Sequence, residues 1–235
     1  MAAGFTRAAV VAGMRQSLAL QAAVVPFALV CGIVAQGQGL SLLEAGLMSA
    51  VCYAGSAQLL ALGHWAVPAP VVAATVAAFI VNLRLALMGP VIAPWLDRVR
   101  GWRLWASLFL MADQNWALAV REMSAGRFDA GYLFGSGAVM WVVWLLGTLA
   151  GHAMASSLHL PPGHPLFFAA LAVFVAIVAG MWRGWGDLVP WAVAALVSFG
   201  VSRVMEGTLY IVAGALAGAG AGVVRDRVRH PGQRA

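Results

Sequence analysis

The chain is 235 residues long, with 63% hydrophobic residues, 9% charged residues and a mean hydropathy of +0.89. Soluble domains carry about 25% charged residues, so the composition excludes a soluble enzyme or binding module and indicates an integral membrane protein. The net charge of +6 comes entirely from arginines, most of them in short loops and at the chain ends; that distribution sets membrane orientation and is not a nucleic-acid footprint.

Apolar segments follow in chain order at about 17–36, 42–62, 69–96, 104–120, 131–155, 165–182, 188–202 and 207–224. About 20 apolar residues cross a bilayer. The expected fold is therefore an all-α integral membrane protein, a polytopic bundle of seven to eight apolar segments with broken or re-entrant helices. Segment 1 follows Arg7 and Arg15 and contains Pro26. It reads as a signal anchor, because it is long and lacks a small-residue cleavage site. Pro68 and Pro70 open segment 3, and Gly89-Pro90 and Pro94 break or kink its far end. Pro161-Pro162-Gly163-His164-Pro165 forms a turn between segments 5 and 6.

The arginines sharpen the topology. Apart from Arg84 and Arg203, they lie in loops and at the ends: Arg7 and Arg15, Arg98, Arg100 and Arg103, Arg121 and Arg127, Arg183, and Arg225, Arg227, Arg229 and Arg234 in the tail. Loops 37–41, 63–68 and 156–164 carry none. If every segment spans, the 98–103 loop and the N-terminus fall on opposite sides. The conflict disappears if two segments enter and leave on the same side. Segment 4 is one candidate, being short with Asp113-Gln114-Asn115 near its middle; segment 2 or its junction with segment 3 is the other. Transporters use such broken helices where the backbone lines a cavity. Both termini are then cytoplasmic.

Three intramembrane constellations are candidates for function. The first is the run Tyr53-Ala54-Gly55-Ser56-Ala57-Gln58. On a continuous helix Ser49, Tyr53 and Ser56 share one face at i, i+4 and i+7, and Gly55 admits close approach of a backbone or ligand. Packing through small residues is the plainer reading of each residue. The whole stripe points to a site, because each polar group costs desolvation unless paired. The second is Asn82-Leu83-Arg84. Asn82 and Arg84 lie roughly 200° apart on a regular helix and face one site only if the helix is distorted. An arginine at membrane depth costs about 2.5–3.5 kcal/mol on insertion scales, unless it snorkels to an interface. The third is Asp113-Gln114-Asn115. A buried carboxylate protonates or finds a cation, and Arg84 is the partner that charge suggests; the alternative is a surface turn between half-helices.

Other motifs describe assembly or carry little. Gly147 and Gly151, and then Gly214, Gly218 and Gly222, repeat at four-residue spacing that lets helices approach closely. The second set is expected to pack on another subunit or a long helix. No HExxH, phosphate-loop or GxSxG motif is present, so no catalytic residues are assigned. Gly184-Trp185-Gly186-Asp187 matches a GxGD pattern without the second membrane aspartate an intramembrane protease needs. His152, His159 and His164 have no neighbouring carboxylate or thiol in sequence, and no metal site is assigned. Cys31 and Cys52 lie in apolar segments and read as small core residues.

Taken in order, these motifs resemble the AzlC family, the large subunits of branched-chain amino acid exporters. Residues Tyr53 to Gln58, after Leu47-Met48-Ser49, resemble its AGxxQ signature. Asn82-Leu83-Arg84 with Leu87-Met88-Gly89-Pro90 resembles its N-x-R-H segment and small/Pro continuation. Ala112-Asp113-Gln114 resembles its T-D-E segment. Trp141-Val142-Val143-Trp144-Leu145-Leu146-Gly147-Thr148 resembles its W-x-x-W-x-x-G-T block. Two departures stand out: Leu85 where the family often has His, and Gln114 where it often has Glu. The resemblance implies a multi-pass protein of the bacterial inner (plasma) membrane that exports branched-chain or other hydrophobic amino acids. It further implies coupling to the proton gradient, a small AzlD-type membrane partner and no cofactor. The implied division is a cytoplasmic N-terminal segment at 1–16, a transmembrane transporter domain at 17–224 and a basic cytoplasmic tail at 225–235. The substrate-binding set is Ser49, Tyr53, Gly55, Ser56, Gln58, Asn82, Arg84 and Asp113. The rival reading is a non-transporting membrane assembly subunit.

Overall fold

The computed structural model describes residues 4–63, 65, 71–97, 99–127, 129–158, 175, 179, 182, 184–204 and 209–229. Helix α1 (Arg7–Ser17) passes through a 3-10 turn (Leu18–Leu20) into α2 (Gln21–Gly37), giving one continuous apolar span, Arg7–Gly37. Thr6 caps its start by accepting from the Ala9 N–H. Asp129 accepts from the Thr6 hydroxyl at 2.7 Å and from the Gly131 N–H at 2.9 Å. One carboxylate thus ties the starts of α1 and of α8 (Gly131–Leu158) together.

The α1–α2 span and α8 run parallel, backbone against backbone. Any Cβ at Gly13 would lie on the Tyr132 carbonyl, at Gly32 on the Thr148 carbonyl, at Gly135 on the Val10 carbonyl, and at Gly151 on the Leu29 carbonyl. At Gly147 it would meet the Ala28 Cβ at 2.6 Å. In lipid there is no hydrophobic drive between helices, so such van der Waals contact is what holds them.

Between these spans lie the broken segments. Ser41 and Glu44 form a reciprocal capping box that starts α3 (Leu42–Cys52). After the break at Tyr53–Ala54 comes α4 (Gly55–Gly63). Helix α5 (Val71–Leu96) bends by 54° between Ala74–Ala86 and Met88–Leu96. Pro90 accounts for the position of the bend, because its ring displaces the carbonyl four residues back, at Ala86. Helices α6 (Trp102–Phe109) and α7 (Asp113–Ser124) flank the next break. Beyond α7, Arg127 grips Glu122 through two bonds of 2.6 and 2.7 Å. That hydrogen bonding holds the Glu122 carboxyl below its usual range. Its contribution is therefore present above the unfolded carboxylate pKa of about 4.3 and is lost as pH falls through the lower folded value.

Near the C-terminus, α9 (Leu188–Val204) follows a 3-10 turn at Trp185–Asp187 and packs on α10 (Leu209–Arg229). The Gly214 and Gly218 face of α10 is where they meet: a Cβ at Gly218 would sit 2.8 Å from the Ala194 Cβ. This glycine face is used within the chain, on the long-helix side of the expectation. Asp187 of the GxGD pattern pairs with Arg225 at 3.5 Å.

Among the described residues the chain is all-helical, with no strand. Three helices there are long and apolar enough to cross a membrane: Arg7–Gly37, Gly131–Ser157 and Trp185–Val204; the bent α5 makes a fourth if it counts as one span. That count does not confirm the expected seven to eight apolar segments, of which segments 2 and 4 each fold as two shorter helices. Most of segment 6, at 165–182, and both His159 and His164 lie outside the described residues.

The glycine contacts make a direct prediction. Gly32→Leu should destabilise the protein by at least about 1–3 kcal/mol through overpacking. Gly220→Leu, where nothing lies within 4 Å, should stay within about 0.5 kcal/mol. Thermal unfolding of the two variants in the same detergent compares them; equal melting curves would show that the α2–α8 contact is not limiting.

Candidate functional site

The site is built from two helical hairpins whose tips meet at the middle of α8. In the first, the Gln58 side-chain amide donates to the Ser49 hydroxyl at 2.8 Å. On a straight helix nine residues span about 13.5 Å, so this bond requires α4 to fold back along α3. The reversal is made by Tyr53, which adopts the left-handed conformation at φ 39°, ψ 43°. Helix α3 lies antiparallel to α8. The Leu40 carbonyl bonds the His152 Nε2 at 2.7 Å, the Ser49 hydroxyl donates to Thr148 at 3.1 Å, and the Trp141 indole donates to the Ala50 carbonyl at 3.0 Å.

The second hairpin approaches from the other end of α8. Trp102, at the start of α6, stacks edge-on with Phe134, while Arg121, in the last turn of α7, donates to Gln16, which also accepts from Tyr132. Its tip, Leu110–Ala112, lies deeper. A Cβ at Gly137 would fall on the Leu110 carbonyl, and Ala112 joins the apolar cluster of Met140 and Trp144 that also holds Tyr53. Asn115, fully buried, closes this break. It accepts from the Ala112 N–H at 2.7 Å and donates to the Leu110 and Leu133 carbonyls at 2.9 and 3.4 Å.

Arg84 of α5 bridges the two tips. One guanidinium nitrogen pairs with Asp113, the first residue of α7, at 2.6 Å; the other donates to Ser56, in the first turn of α4, at 3.4 Å. Both partners sit at helix N-termini, where the backbone dipole favours negative charge. The ion pair is not sealed: the two side chains are 42% and 45% exposed on this chain taken alone.

On these segments the Tyr53 hydroxyl, Asn82 Oδ1 and Asp113 Oδ1 are buried without a hydrogen-bond partner, as are atoms of Gln21, Gln36 and Trp95 elsewhere. Such groups are rare in native proteins, and each calls for an explanation. The first three belong to the segments that Arg84 links or occupies.

The residues expected from sequence divide into two sets. Arg84, Asp113 and Ser56 come together; Asn82 does not join them, because α5 is bent only beyond Ala86 and Asn82 and Arg84 stay on different faces. Ser49 and Gln58 instead belong to a closed network, in which Gln58 accepts from the Trp144 indole at 3.0 Å and Thr148 donates to the Trp144 carbonyl. Gly55 serves the same interior, since a Cβ there would run into the Trp144 and Phe27 rings. Ser49, Tyr53 and Ser56 do not share a helix face, because the helix ends at Cys52 and the chain reverses.

Sequence reasoning assigned no role to Trp116, whose indole donates 3.0 Å to the Met88 carbonyl at the bend of α5, or to Thr148 and Trp144. The tryptophan spacing was visible, but it signals an apolar helix until the antiparallel α3 is known. Of the two departures from the family pattern, Leu85 packs in the apolar cluster around Ile92 and Trp95, and Gln114 is exposed.

A family model described as AzlC protein matches residues 19–158. That range contains both hairpins and all of α8. No curated protein and no solved structure matches the chain. The AzlC family is linked to branched-chain amino acid transport and is a transporter-type family rather than an enzyme family.

The partition between closed network and open site predicts opposite behaviours. Gln58→Leu leaves the Trp144 indole N–H buried and unpaired, and should cost about 1–3 kcal/mol. Tyr53→Phe removes a hydroxyl that bonds nothing, and should leave the melting temperature of the purified protein unchanged. Differential scanning fluorimetry reads both; a large loss for Tyr53→Phe would mean that its hydroxyl is structurally engaged.

Proposed function

The chain belongs to the AzlC family, and on that premise we propose that it exports branched-chain or other hydrophobic amino acids across the bacterial inner membrane. The export is driven by the proton gradient and carried out with a small AzlD-type membrane subunit. The observation that carries the reading is the Arg84–Asp113 ion pair at the meeting point of two broken helices, with one Asp113 oxygen left unpartnered.

A zwitterionic amino acid needs acceptors for its ammonium and donors for its carboxylate. The unmatched Asp113 Oδ1 is an acceptor for the ammonium. The Arg84 guanidinium and the free N–H groups at the start of α4 supply the donors. The substrate exchanges its own charges into the ion pair: its ammonium replaces Arg84 on Asp113, and its carboxylate replaces Asp113 on Arg84. A proton on Asp113 would release the ammonium, which is a route by which a proton gradient drives the cycle.

The topology fits the charge pattern. The ends that carry Arg7, Arg103, Arg121 and Arg127 gather with Asp129 at the start of α8, whereas the arginine-free 37–41 loop lies at its other end. Two hairpins that enter and leave on one side remove the conflict in the positive-inside count, and the start of α8 is assigned to the cytoplasm. The reading as an assembly subunit is less favoured, because a purely packing role gives no reason for an ion pair left half-exposed where two helix breaks meet.

Asp113→Asn should abolish efflux of labelled leucine from vesicles holding this chain and its small partner. The double variant Arg84→Gln with Asp113→Asn should recover any folded protein lost by the single change, because no lone charge remains, yet stay inactive. Loss of one partner of a fully buried pair costs about 3–5 kcal/mol; the half-exposed pair here should cost less. Efflux by the double variant would reduce the pair to a structural role, and wild-type vesicles that release no amino acid would refute the transport reading.

A further inference from the structure

A cavity of about 550 Å³ lies between α3, α4 and α5. Its walls are mostly apolar and mix alanines with large side chains: Met48 and Cys52 from α3, Ala57 and Ala61 from α4, Trp65 after α4, and Ala78 from α5. Its volume lies in the range of small-molecule sites, about 300–1,000 Å³. We infer that this cavity receives the aliphatic side chain of the transported amino acid, and that Ala57 and Ala78 set the largest side chain it admits. The inference rests on the transport reading and extends it to specificity.

Position carries the argument. Each of the three helices places a cavity residue near a polar residue of the segments that Arg84 links or occupies. Cys52 precedes Tyr53, whose hydroxyl is unpartnered. Ala57 follows Ser56, which bonds Arg84. Ala78 lies one turn before Asn82, whose Oδ1 is buried and unpartnered and which shares its face of α5. An α-amino acid holds its ammonium, carboxylate and side chain on one carbon, so an apolar pocket must begin where the charge-binding groups end. Ala57, next to the Ser56 that bonds Arg84, is the wall residue at that boundary.

The remaining walls explain how the pocket is reached. Leu40 and Glu44 line its far end, and Glu44 is fixed in the capping box with Ser41 at the start of α3. The cavity therefore runs along the inner side of the first hairpin, from its ends toward its tip. Alanine walls are the expected means of size selection. Deleting or adding one methylene in such a pocket changes discrimination by about 10–200-fold, and an alanine leaves room that any larger residue would remove.

Cys52 supplies a reporter inside the pocket, because it is half-buried there while the second thiol, Cys31, is buried in the core against Ala28 and Ala35. In a Cys31→Ala background, full-length protein with its small partner in vesicles is treated with N-ethylmaleimide. Saturating leucine should slow alkylation of Cys52 by about tenfold, and glycine, which has no side chain to fill the pocket, should not. Ala78→Leu, and Ala57→Val as a second variant should the first not fold, should lower the ratio of leucine to alanine efflux by about tenfold or more. Equal protection by glycine and leucine, or an unchanged efflux ratio in a folded variant, would overturn the pocket while wild-type leucine efflux keeps the transport reading intact. A Cys52 shielded to the same degree with and without amino acid would assign the cavity to lipid or to the partner subunit, and would equally overturn it. Wild-type vesicles that export no amino acid would instead bring down the transport reading itself.

Discussion

Backbone groups released by a broken helix have no partner in lipid, and the rest of this structure depends on how the two breaks are closed. An unsatisfied N–H or C=O in hydrocarbon costs several kcal/mol, so neither hairpin tip is viable unless protein surrounds it. At Leu110–Ala112 a single side chain, Asn115, takes one N–H and two carbonyls. At Tyr53–Ala54 a left-handed tyrosine makes the turn, the Trp141 indole takes the Ala50 carbonyl, and the Ser49, Gln58, Trp144 and Thr148 side chains bind the two arms to α8. A non-glycine residue in that backbone region is strained by roughly 1–3 kcal/mol. Such strain persists only where the surroundings over-determine it, and the network around Gln58 does that.

Helix α8 can serve both tips because the α1–α2 span lies flush along its other side. Where Gly13, Gly32, Gly135 and Gly151 remove side chains from that contact, the larger residues of α8 are left to face the hairpins. Trp141, Trp144, Thr148 and His152 all point that way, each bonded to α3, to α4 or to the 37–41 connection. The first hairpin comes from the C-terminal end of α8 and the second from the N-terminal end. Each stops near Met140–Trp144. The arrangement is that of discontinuous helices in transporters, in which half-helix N-termini point at the substrate. It also places Asp113 and Ser56, both at helix starts, within reach of one arginine.

Much of this was legible in the sequence, and the remainder fails for physical reasons. Segment lengths, the break at Asp113, the kink near Pro90 and the pairing of Arg84 with Asp113 all follow from local rules about apolar length, proline and lone charges. The conflict in the arginine count already favoured two segments that do not cross, and the breaks at Tyr53 and Leu110 fall in the two segments singled out. What could not be read was the turn at Tyr53. Tyrosine gives no signal for a left-handed residue, so Ser49, Tyr53 and Ser56 were placed on one face of a helix that ends at Cys52. The division of labour between Gln58, which closes the interior, and Ser56, which reaches Arg84, depends on that reversal. The role of Asn115 was hidden for a different reason: its partners include the Leu133 carbonyl, a contact between segments that no local pattern encodes.

The two departures from the family pattern bear on how charge is handled at the centre. Residue 85 follows the arginine of the ion pair, but it turns into the apolar cluster of Ile92, Trp95 and Leu133, away from Asp113. A leucine there fits its surroundings without leaving a polar gap, and the loss of a titratable ring does not touch the Arg84–Asp113 bond. Gln114 follows the aspartate and is exposed on this chain, so a carboxylate at that position would sit beside the site rather than inside it. The polar junction itself is therefore complete with one cation and one carboxylate. Asp113 keeps one oxygen on Arg84 and one oxygen unmatched, and it is this unevenly satisfied carboxylate that a substrate ammonium or a proton would meet first.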